Sequence, residues 1–386
     1  MDDAGGHLRF PTIESARAAA LLALPRPVWA YVEGGAEKGW TASANMSAFA
    51  DWNLFPSIPA TAAMPDLSST VMGHRVELPL IFAPVGMLGL IGRGGERSAA
   101  AATKAAGGLF ILSTAATTSL EDLAATHAAP RIFQLNPPRD RSLATSLVDR
   151  ARDAGYDDLW ITVDNPTHGY RPGDLEQGLR FPMSWTTRLS LALSRPRWAA
   201  AMAGSRPGLA NFEGLNLGFA DILDQIVSPC GWDDLEWLRD RWRGNLAVKG
   251  LLRPSDVDRA AQLGFDAVIL SNQGGRHFDS GVTPLSVLPA AVEAAANRLE
   301  IILDGGVRSG ADVIKAICLG ATACSTARPF CYGLAAAGAA GVRSIFDLFR
   351  AEMLRTMRFM GCRSIADLGL DRLQRHSRFG QARRGG

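Results

Sequence analysis

The chain lacks the features that mark several non-enzymatic classes of protein. Its five cysteines form no CxxC pair and no cluster with histidine, which argues against a disulfide framework and a zinc site. With 40 basic and 38 acidic residues the net charge is only +2, so nothing favours a nucleic-acid partner. No apolar run approaches the ~18 residues of a membrane span, and MDDAGGHLRF does not resemble a signal peptide. We therefore expect a cytoplasmic protein with reduced thiols and no metal ion.

Short apolar runs recur along the chain and resemble buried parallel strands. Of the 386 residues, 47% are hydrophobic, which is enough to bury a large core. Each run stops abruptly at Gly, Lys, Asn, Arg or Asp, as strands do when their ends open onto a site. Eight such runs are predicted as strands: 79–87, 108–114, 131–136, 159–165, 245–250, 265–272, 300–306 and 321–326.

The segments between these runs carry the start and stop signals of helices. One begins at Gly95-Glu96 and closes at Gly107, another runs from Pro254 to Gly264, and a third from Ser309 to Gly320. Eight repeats of strand and helix predict an α/β fold, a (β/α)8 TIM barrel. The rival fold, an open doubly wound sheet, needs an early GxGxxG turn that this chain does not contain.

Two regions fall outside the repeat. Residues 1–78 form an N-terminal extension with a helix-like stretch at Ser15–Gly34 and a β-like stretch at Leu67–Val76, and residues 79–372 form the barrel. An insertion at about 173–232 follows the fourth strand, on the catalytic face, where it would cover the substrate. Its Trp, Leu and Arg content also suits a membrane surface, so peripheral association is the alternative. Residues 373–386 are expected to be disordered.

The loops after the seventh and eighth strands have the composition of an anion site. DGGVRSGAD puts two glycines and an arginine just before a helix, and Ala327-Arg328-Pro329 begins the next one. Barrels commonly bind phosphate between these two loops. The candidate ligands are Asp304, Gly305, Gly306, Arg308, Ala327 and Arg328. Alternatively, the glycines only permit a tight turn.

The motifs NLAVKG, SNQGGRHFD and DGGVRSGAD resemble those of the FMN-dependent 2-hydroxy-acid oxidases and dehydrogenases. That family includes glycolate oxidase, mandelate dehydrogenase and lactate oxidase, and the likeness runs from about residue 10 to 370. The resemblance implies an FMN cofactor, hydride transfer to flavin N5 and a homo-oligomer, commonly a tetramer. It places Lys249 beside the flavin pyrimidine ring, where a fixed positive charge stabilises the reduced cofactor. The other implied flavin contacts are Pro84, Val85, Gly86, Ser113, Gln134, Thr162 and Ser271.

The same resemblance assigns residues to the substrate. Arg171 and Arg276 match a pair of family arginines, and two guanidinium groups converging on a pocket form a strong carboxylate site. Tyr31 matches a tyrosine that touches the same carboxylate. Asp164 matches the aspartate that orients the catalytic histidine.

Two departures from the family lie in the reacting centre. Gln273 replaces the histidine that removes the substrate hydroxyl proton, and a carboxamide cannot accept a proton near neutral pH. Asn136 stands where the family has a tyrosine. His277 and His168 are candidate replacement bases. A 2-amino acid, or a substrate that is already ionised, would need no base.

These observations leave several functions open. We expect an FMN-dependent oxidoreductase that acts on a small or aromatic 2-hydroxy or 2-amino carboxylic acid, with oxygen or another electron acceptor. Specialised metabolism is one setting for such an enzyme. One alternative keeps the flavin but catalyses a decarboxylation, an isomerisation or another non-redox reaction. The other is a flavoprotein without catalytic activity.

Overall fold

The described residues of the N-terminal extension form three α-helices, one short 3-10 helix (Ala48–Asp51) and three short strands. A computed structural model describes residues 9–58, 63–128, 130–178, 184–202 and 208–376. The expected helix at Ser15–Gly34 is in fact two helices, because Pro25 adopts an extended conformation between them. The elements are α1 (Ile13–Ala23), α2 (Arg26–Glu33), α3 (Trp40–Ser47), β1 (Trp52–Leu54), β2 (Ser69–Val71) and β3 (His74–Val76).

Eight parallel strands follow and close into a barrel in which chain neighbours pair. Their side chains are almost all buried, as expected for a sheet covered on both faces. The predicted (β/α)8 fold and all eight predicted strands are confirmed. The strands are β4 (Leu80–Phe82), β5 (Leu109–Ser113), β6 (Ile132–Leu135), β7 (Asp158–Thr162), β8 (Asn245–Lys249), β9 (Ala267–Leu270), β10 (Glu300–Asp304) and β11 (Ala323–Thr326).

Helices connect the strands and surround the barrel. Local capping fixes several of their starts: Ser309 accepts a hydrogen bond from the Asp312 amide, while Asp312 accepts one from the Ser309 amide. The last helix, α16, is interrupted at Ala337 and Gly338, whose backbone angles are not helical. The helices are α4 (Leu88–Ile91), α5 (Gly95–Ala105), α6 (Leu120–Ala124), α7 (Arg141–Asp153), α8 (Pro172–Glu176), α9 (Trp185–Ser194), α10 (Pro196–Met202), α11 (Phe219–Ile226), α12 (Trp232–Arg241), α13 (Pro254–Gln262), α14 (Pro284–Ala295), α15 (Gly310–Cys318) and α16 (Arg328–Met360).

The hairpin of β2 and β3 closes the amino-terminal end of the barrel. The Met72 amide donates to the Glu300 carboxylate, and His74 Nε2 lies 3.0 Å from Asp158 Oδ1. Asn245 donates to the Met72 carbonyl and to Asp158. Polar contacts therefore fix this end of the barrel, and the other end is left to form a site.

The tail prediction is wrong for its first three residues. Leu373–Arg375 form strand β12, which pairs antiparallel with β1. The pairing joins the end of the chain to the N-terminal extension, a contact that local sequence does not signal. His376 follows the strand and its amide donates to the Asp51 carbonyl, whereas residues 377–386 of the predicted tail lie outside the described part of the chain.

Candidate active site

A cavity of about 450 Å³ opens at the carboxyl ends of the barrel strands. Its walls include every site residue predicted above except Asp164 and Ser271. Those two lie directly behind the lining, where they hydrogen-bond to Gln273 and Lys249 respectively. Strand ends therefore gather the predicted residues into one place, as parallel barrels do.

A buried ionic network lies at the ends of β8, β9 and β10. Lys249, which is 5% exposed, donates to Ser271 Oγ at 2.9 Å and lies 3.6 Å from Asp304 Oδ2. Ser271 in turn donates to Asp304, and so does Ser325. The lysine is thus held at the cavity wall by a carboxylate and a hydroxyl, and its charge still faces the cavity.

A chain of side-chain hydrogen bonds fixes the orientation of Asn136. Gln134 Nε2 donates to both Thr162 Oγ1 and Asn136 Oδ1, while its own carbonyl accepts from Ser113. Asn165 also donates to Asn136 Oδ1, at 3.2 Å. Because the Asn136 oxygen accepts two bonds, its Nδ2 group is the part left to donate into the cavity.

Gln273 is oriented in the same way by Asp164. Its Nε2 donates to Asp164 Oδ1 at 2.6 Å, and its backbone amide donates to Ser271. The side-chain carbonyl of Gln273 has no hydrogen-bond partner among the described residues, so it presents an acceptor to the cavity. Burial raises the pKa of Asp164. The charge of Lys249 and the hydrogen bond from Gln273 partly offset this rise.

Arg276 is half-buried, and no carboxylate of the described residues forms an ion pair with it. Its Nη1 donates to the carbonyls of Tyr31 and Gly34, and its guanidinium lies 5.1 Å from the centre of the Tyr31 ring. Burial, together with repulsion from Arg171 and Arg328, lowers the pKa of Arg276 to about 10. The Tyr31 hydroxyl donates to the Gly86 carbonyl. An anionic ligand would offset the desolvation of this arginine.

Arg171 has a partner that the sequence interpretation missed. Its Nε donates to Asp174 Oδ2 at 2.7 Å, and the other carboxylate oxygen of Asp174 is buried without a partner. The spacing of three residues at the start of α8 was the available signal. Since Asp174 occupies Nε, the two terminal nitrogens of Arg171 remain for a ligand.

The loops after β10 and β11 supply further positive charge. Arg308 lines the cavity and makes no ion pair in the described ranges, and burial lowers its pKa. Arg328 donates to the carbonyls of Val32, Gly34 and Gly274, which ties the end of α2 to the barrel. Each terminal nitrogen of Arg328 keeps one further N–H.

The two glycines of this anion site are required by the backbone as well. Gly305 and Gly306 have φ values of +126° and +82°, which favour glycine. A Cβ on Gly306 would overlap the Asn45 carbonyl at α3. Gly306 is therefore needed for the tight turn of the backbone, as the alternative explanation supposed. Both glycines also line the cavity.

The two candidate bases occupy different environments. His168 is 55% exposed at the cavity mouth, and its Nε2 lies 3.1 Å from Asp224. His277 Nδ1 lies 3.3 Å from the Thr167 carbonyl, so that nitrogen carries the proton and donates. Burial and the nearby cations Arg171, Arg276 and Lys249 lower the pKa of His277 to about 4, despite the Thr167 bond.

Helix α11 of the insertion forms an apolar wall that the sequence did not predict. Phe219 and Leu223 lie four residues apart and share one face of α11, Val227 follows directly after the helix, and all three line the cavity. The end of the helix is held by Asn165, which donates to the Ile226 carbonyl, and by Arg139, whose amide donates to Gln225. One wall is thus apolar while the opposite side is cationic.

Comparison with known proteins gives one consistent family. The model of the FMN-dependent dehydrogenases matches residues 20–375. An L-lactate dehydrogenase of Xanthomonas axonopodis pv. citri (strain 306) is 36% identical, covering 94% of this chain and 96% of the relative. A crystal structure of the monotopic membrane protein (S)-mandelate dehydrogenase is 35% identical, with a TM-score of 0.90 over 95% of this chain and all of the other. Mandelate oxidase with (S)-2-phenylpropionate is 30% identical, with a TM-score of 0.81 over 95% and 98% of the two chains.

Proposed function

Because the chain belongs to the family of FMN-dependent dehydrogenases, we propose that it oxidises a 2-hydroxy or 2-amino carboxylic acid held between Arg171 and Arg276. The observation that carries this is a half-buried arginine, Arg276, which lines a cavity and has no acid partner among the described residues. A substrate carboxylate supplies the missing negative charge. The apolar wall on α11 favours an acid with a small apolar or aromatic substituent.

The residues of the cavity fit FMN. Arg308 is a largely buried cation without a counter-ion in the described ranges, which suits the phosphate, and Gly305 and Gly306 border it. Lys249 and the amide of Gln134 lie deeper, at strand ends, and suit the polar edge of the flavin ring. Bound FMN supplies the acceptor for the hydride that leaves the substrate.

The chain itself contributes binding and orientation. Asp174 holds Arg171 and the carbonyls of Tyr31 and Gly34 hold Arg276, so both guanidinium groups are positioned before the substrate arrives. Asn136 offers a donor and Gln273 an acceptor to the substituent on C2. Neither amide can take up a proton near neutral pH, so the acid–base chemistry differs from that of a histidine-dependent relative.

The test is anaerobic reduction of the protein-bound flavin. The purified holoprotein is mixed with L-lactate, L-alanine, (S)-mandelate and (S)-phenylglycine, and the loss of flavin absorbance is followed. We expect at least one of these acids to reduce the flavin, and Arg171→Ala and Arg276→Ala to weaken its apparent affinity about a hundredfold. Unchanged affinity in both variants would refute the carboxylate site. Turnover without net flavin reduction would instead favour a decarboxylase or isomerase.

We infer further that oxygen or another electron acceptor completes the cycle. Mixing the reduced holoprotein with air-saturated buffer distinguishes an oxidase from a dehydrogenase, because an oxidase regains its flavin absorbance within the time of one catalytic cycle. A dehydrogenase regains it only with an added acceptor such as a quinone.

Peripheral membrane association is the second candidate property, and it rests on α9. Leu189 and Leu193 of this helix are 51% and 73% exposed, and the exposed Arg197 follows in α10. No helix in the described ranges is long and apolar enough to cross a bilayer. We expect co-sedimentation with anionic lipid vesicles that Leu193→Glu abolishes. Leu22→Glu on α1, where the leucine is 74% exposed, is the matched control. A chain that stays in the supernatant instead supports the cytoplasmic location expected from the sequence.

We propose that the chain forms a homo-oligomer, a tetramer by its family resemblance. Phe55 and Phe359 are 46% and 66% exposed, and the Ser57 amide bonds to the Phe359 carbonyl, so the two rings belong to one surface region. Light scattering is expected to give a multiple of the chain mass that Phe359→Glu reduces. A monomer would contradict this.

A further inference from the structure

We infer that the reacting group of the substrate is a neutral amine, so that the chain oxidises a 2-amino acid in preference to the matching 2-hydroxy acid. The inference rests on the proposed function and specifies its substrate class. It stands on the geometry of the reacting centre, where Asn136 supplies a donor and Gln273 an acceptor. An amine and a hydroxyl both match this pair, so the choice between them depends on the fate of the hydroxyl proton.

The carboxylates around the cavity are not available to take that proton. Asp164 accepts from Gln273 through Oδ1, its Oδ2 is buried, and the residue does not line the cavity. Asp304 accepts from Ser271 and Ser325 and lies beside Lys249. Asp174, like Asp164, has one oxygen bonded, here to Arg171, and the other buried. Asp174 and Asp304 line the cavity, but each of their carboxylate oxygens is either hydrogen-bonded or buried.

The histidines are no better placed. His168 lies at the exposed mouth and is paired with Asp224. His277 lines the cavity, but its pKa is lowered to about 4 by burial and by surrounding cations, so its imidazole binds a proton weakly. A base works best when its pKa is near the working pH. The reacting centre thus binds an X–H group without a competent acceptor for the proton.

An alcohol and an amine differ in what they need at this point. In a 2-hydroxy acid, the C2–H bond breaks with both electrons leaving as hydride, a C=O bond forms, and the O–H proton must depart. In a neutral 2-amino acid, the hydride leaves C2 in the same way and the nitrogen lone pair forms a C=N bond. The product is an iminium ion that keeps both N–H protons, and water later hydrolyses it to the 2-oxo acid and ammonium. The two electrons pass to the FMN of the proposed function, so no base is required.

The charge of the cavity also favours the neutral amine. Burial is the main cause that lowers the pKa of His277, ahead of the charges of Arg171, Arg276 and Lys249, and burial in the same cavity likewise disfavours an ammonium group. The carboxylate of the amino acid remains attracted to the arginines. An amino acid would therefore bind with its acid group ionised and its amine unprotonated.

Matched pairs of acids test the inference in the holoprotein. Anaerobic flavin reduction is compared between (S)-phenylglycine and (S)-mandelate, and between L-alanine and L-lactate. We expect the amino acid of the reactive pair to be faster by about 10²-fold or more, because the missing base slows the hydroxy acid by that order. Equal or faster reduction by the hydroxy acid would overturn the inference and leave the proposed function standing. No reduction by any of the four would overturn both.

A second measurement does not depend on turnover. The probes 2-amino-2-phenylpropanoate and 2-hydroxy-2-phenylpropanoate lack a C2 hydrogen and cannot react, so calorimetry gives their affinities directly. We expect the amino compound to bind more tightly as the pH rises and its ammonium loses a proton, whereas the hydroxy compound shows no such rise. Binding of the amino compound that is independent of pH would overturn the inference. Asn136→Ala should weaken both probes and preserve this difference, since it removes a donor common to both.

Discussion

Arg171 Nε donates to Asp174 Oδ2 across 2.7 Å, and this bond directs the other end of the guanidinium into the cavity. Asp174 is the acid that positions one half of the carboxylate site. It lies three residues beyond Arg171, at the start of α8, and its second oxygen is buried.

Replacing Asp174 is expected to weaken the binding of acids without stopping catalysis. Asp174→Ala removes a charge-assisted hydrogen bond and lets Arg171 rotate, so the KM of the best acid should rise about tenfold with a small change in kcat. Asp174→Asn, which keeps an acceptor oxygen, should lie between this variant and the parent. An equal loss of kcat in both variants would mean that Asp174 acts on the chemical step instead.

Gln273→His is expected to restore a base to the reacting centre. Asp164 is already placed to accept a bond from position 273, and an imidazole oriented in this way can take a hydroxyl proton. Of the two hydroxy acids, (S)-mandelate and L-lactate, the one whose matching amino acid reacts faster is used. Its rate of flavin reduction, measured by anaerobic stopped flow, should rise about 10²-fold. Gln273→Asn is the control, because it is neither basic nor long enough to reach Asp164. A similar gain in the reduction rate of Gln273→Asn would show that base catalysis is not the cause of the gain in Gln273→His.

The apolar wall of α11 is expected to set the preference for the substrate side chain. Phe219→Ala and Leu223→Ala each remove apolar contact area, which should lower kcat/KM for an aromatic acid about tenfold and change it little for an acid with a methyl group. Leu193→Ala, on the exposed part of α9, serves as the control. Equal losses for both acids would show that α11 does not touch the side chain.

Gly306→Ala is expected to destabilise the fold and reduce its FMN content. The backbone at Gly306 has a φ of +82°, and the new methyl group would overlap the Asn45 carbonyl, so the free energy of unfolding should fall by ~3 kcal/mol or more. Gly208→Ala, where no atom lies within 4 Å of the added carbon, should leave stability nearly unchanged. Denaturant unfolding and the ratio of flavin to protein absorbance measure the two effects. Similar losses in the two variants would contradict this explanation.

The closed end of the barrel should respond to pH through His74. The hydrogen bond and charge of Asp158 raise the pKa of His74 above its usual 6.5, although burial acts the other way. The folded state therefore holds the proton more tightly than the unfolded state. The stabilisation is complete below pH 6.5 and is lost as the pH rises through the raised pKa. Unfolding of the parent and of His74→Gln should differ most in mildly acidic buffer, and a difference that grows toward alkaline pH would refute the assignment.

The sequence by itself determined the barrel. Strand ends, glycine stops and Ser/Asp caps are signals that act over a few residues, and they located all eight strands and three of the helices between them. Because parallel strands deliver their carboxyl ends to one place, the motifs at those ends also identified the anion-site loops of the cavity wall, while the family resemblance implied most of the other lining residues. The family resemblance then predicted FMN as the cofactor of this cavity.

Only the tertiary structure decided how those residues face one another. The amide of Gln273 is turned by Asp164, which is 109 residues away. The chain end pairs with β1 across more than three hundred residues. Contacts of this kind depend on packing between distant segments, and no local pattern of residues records them.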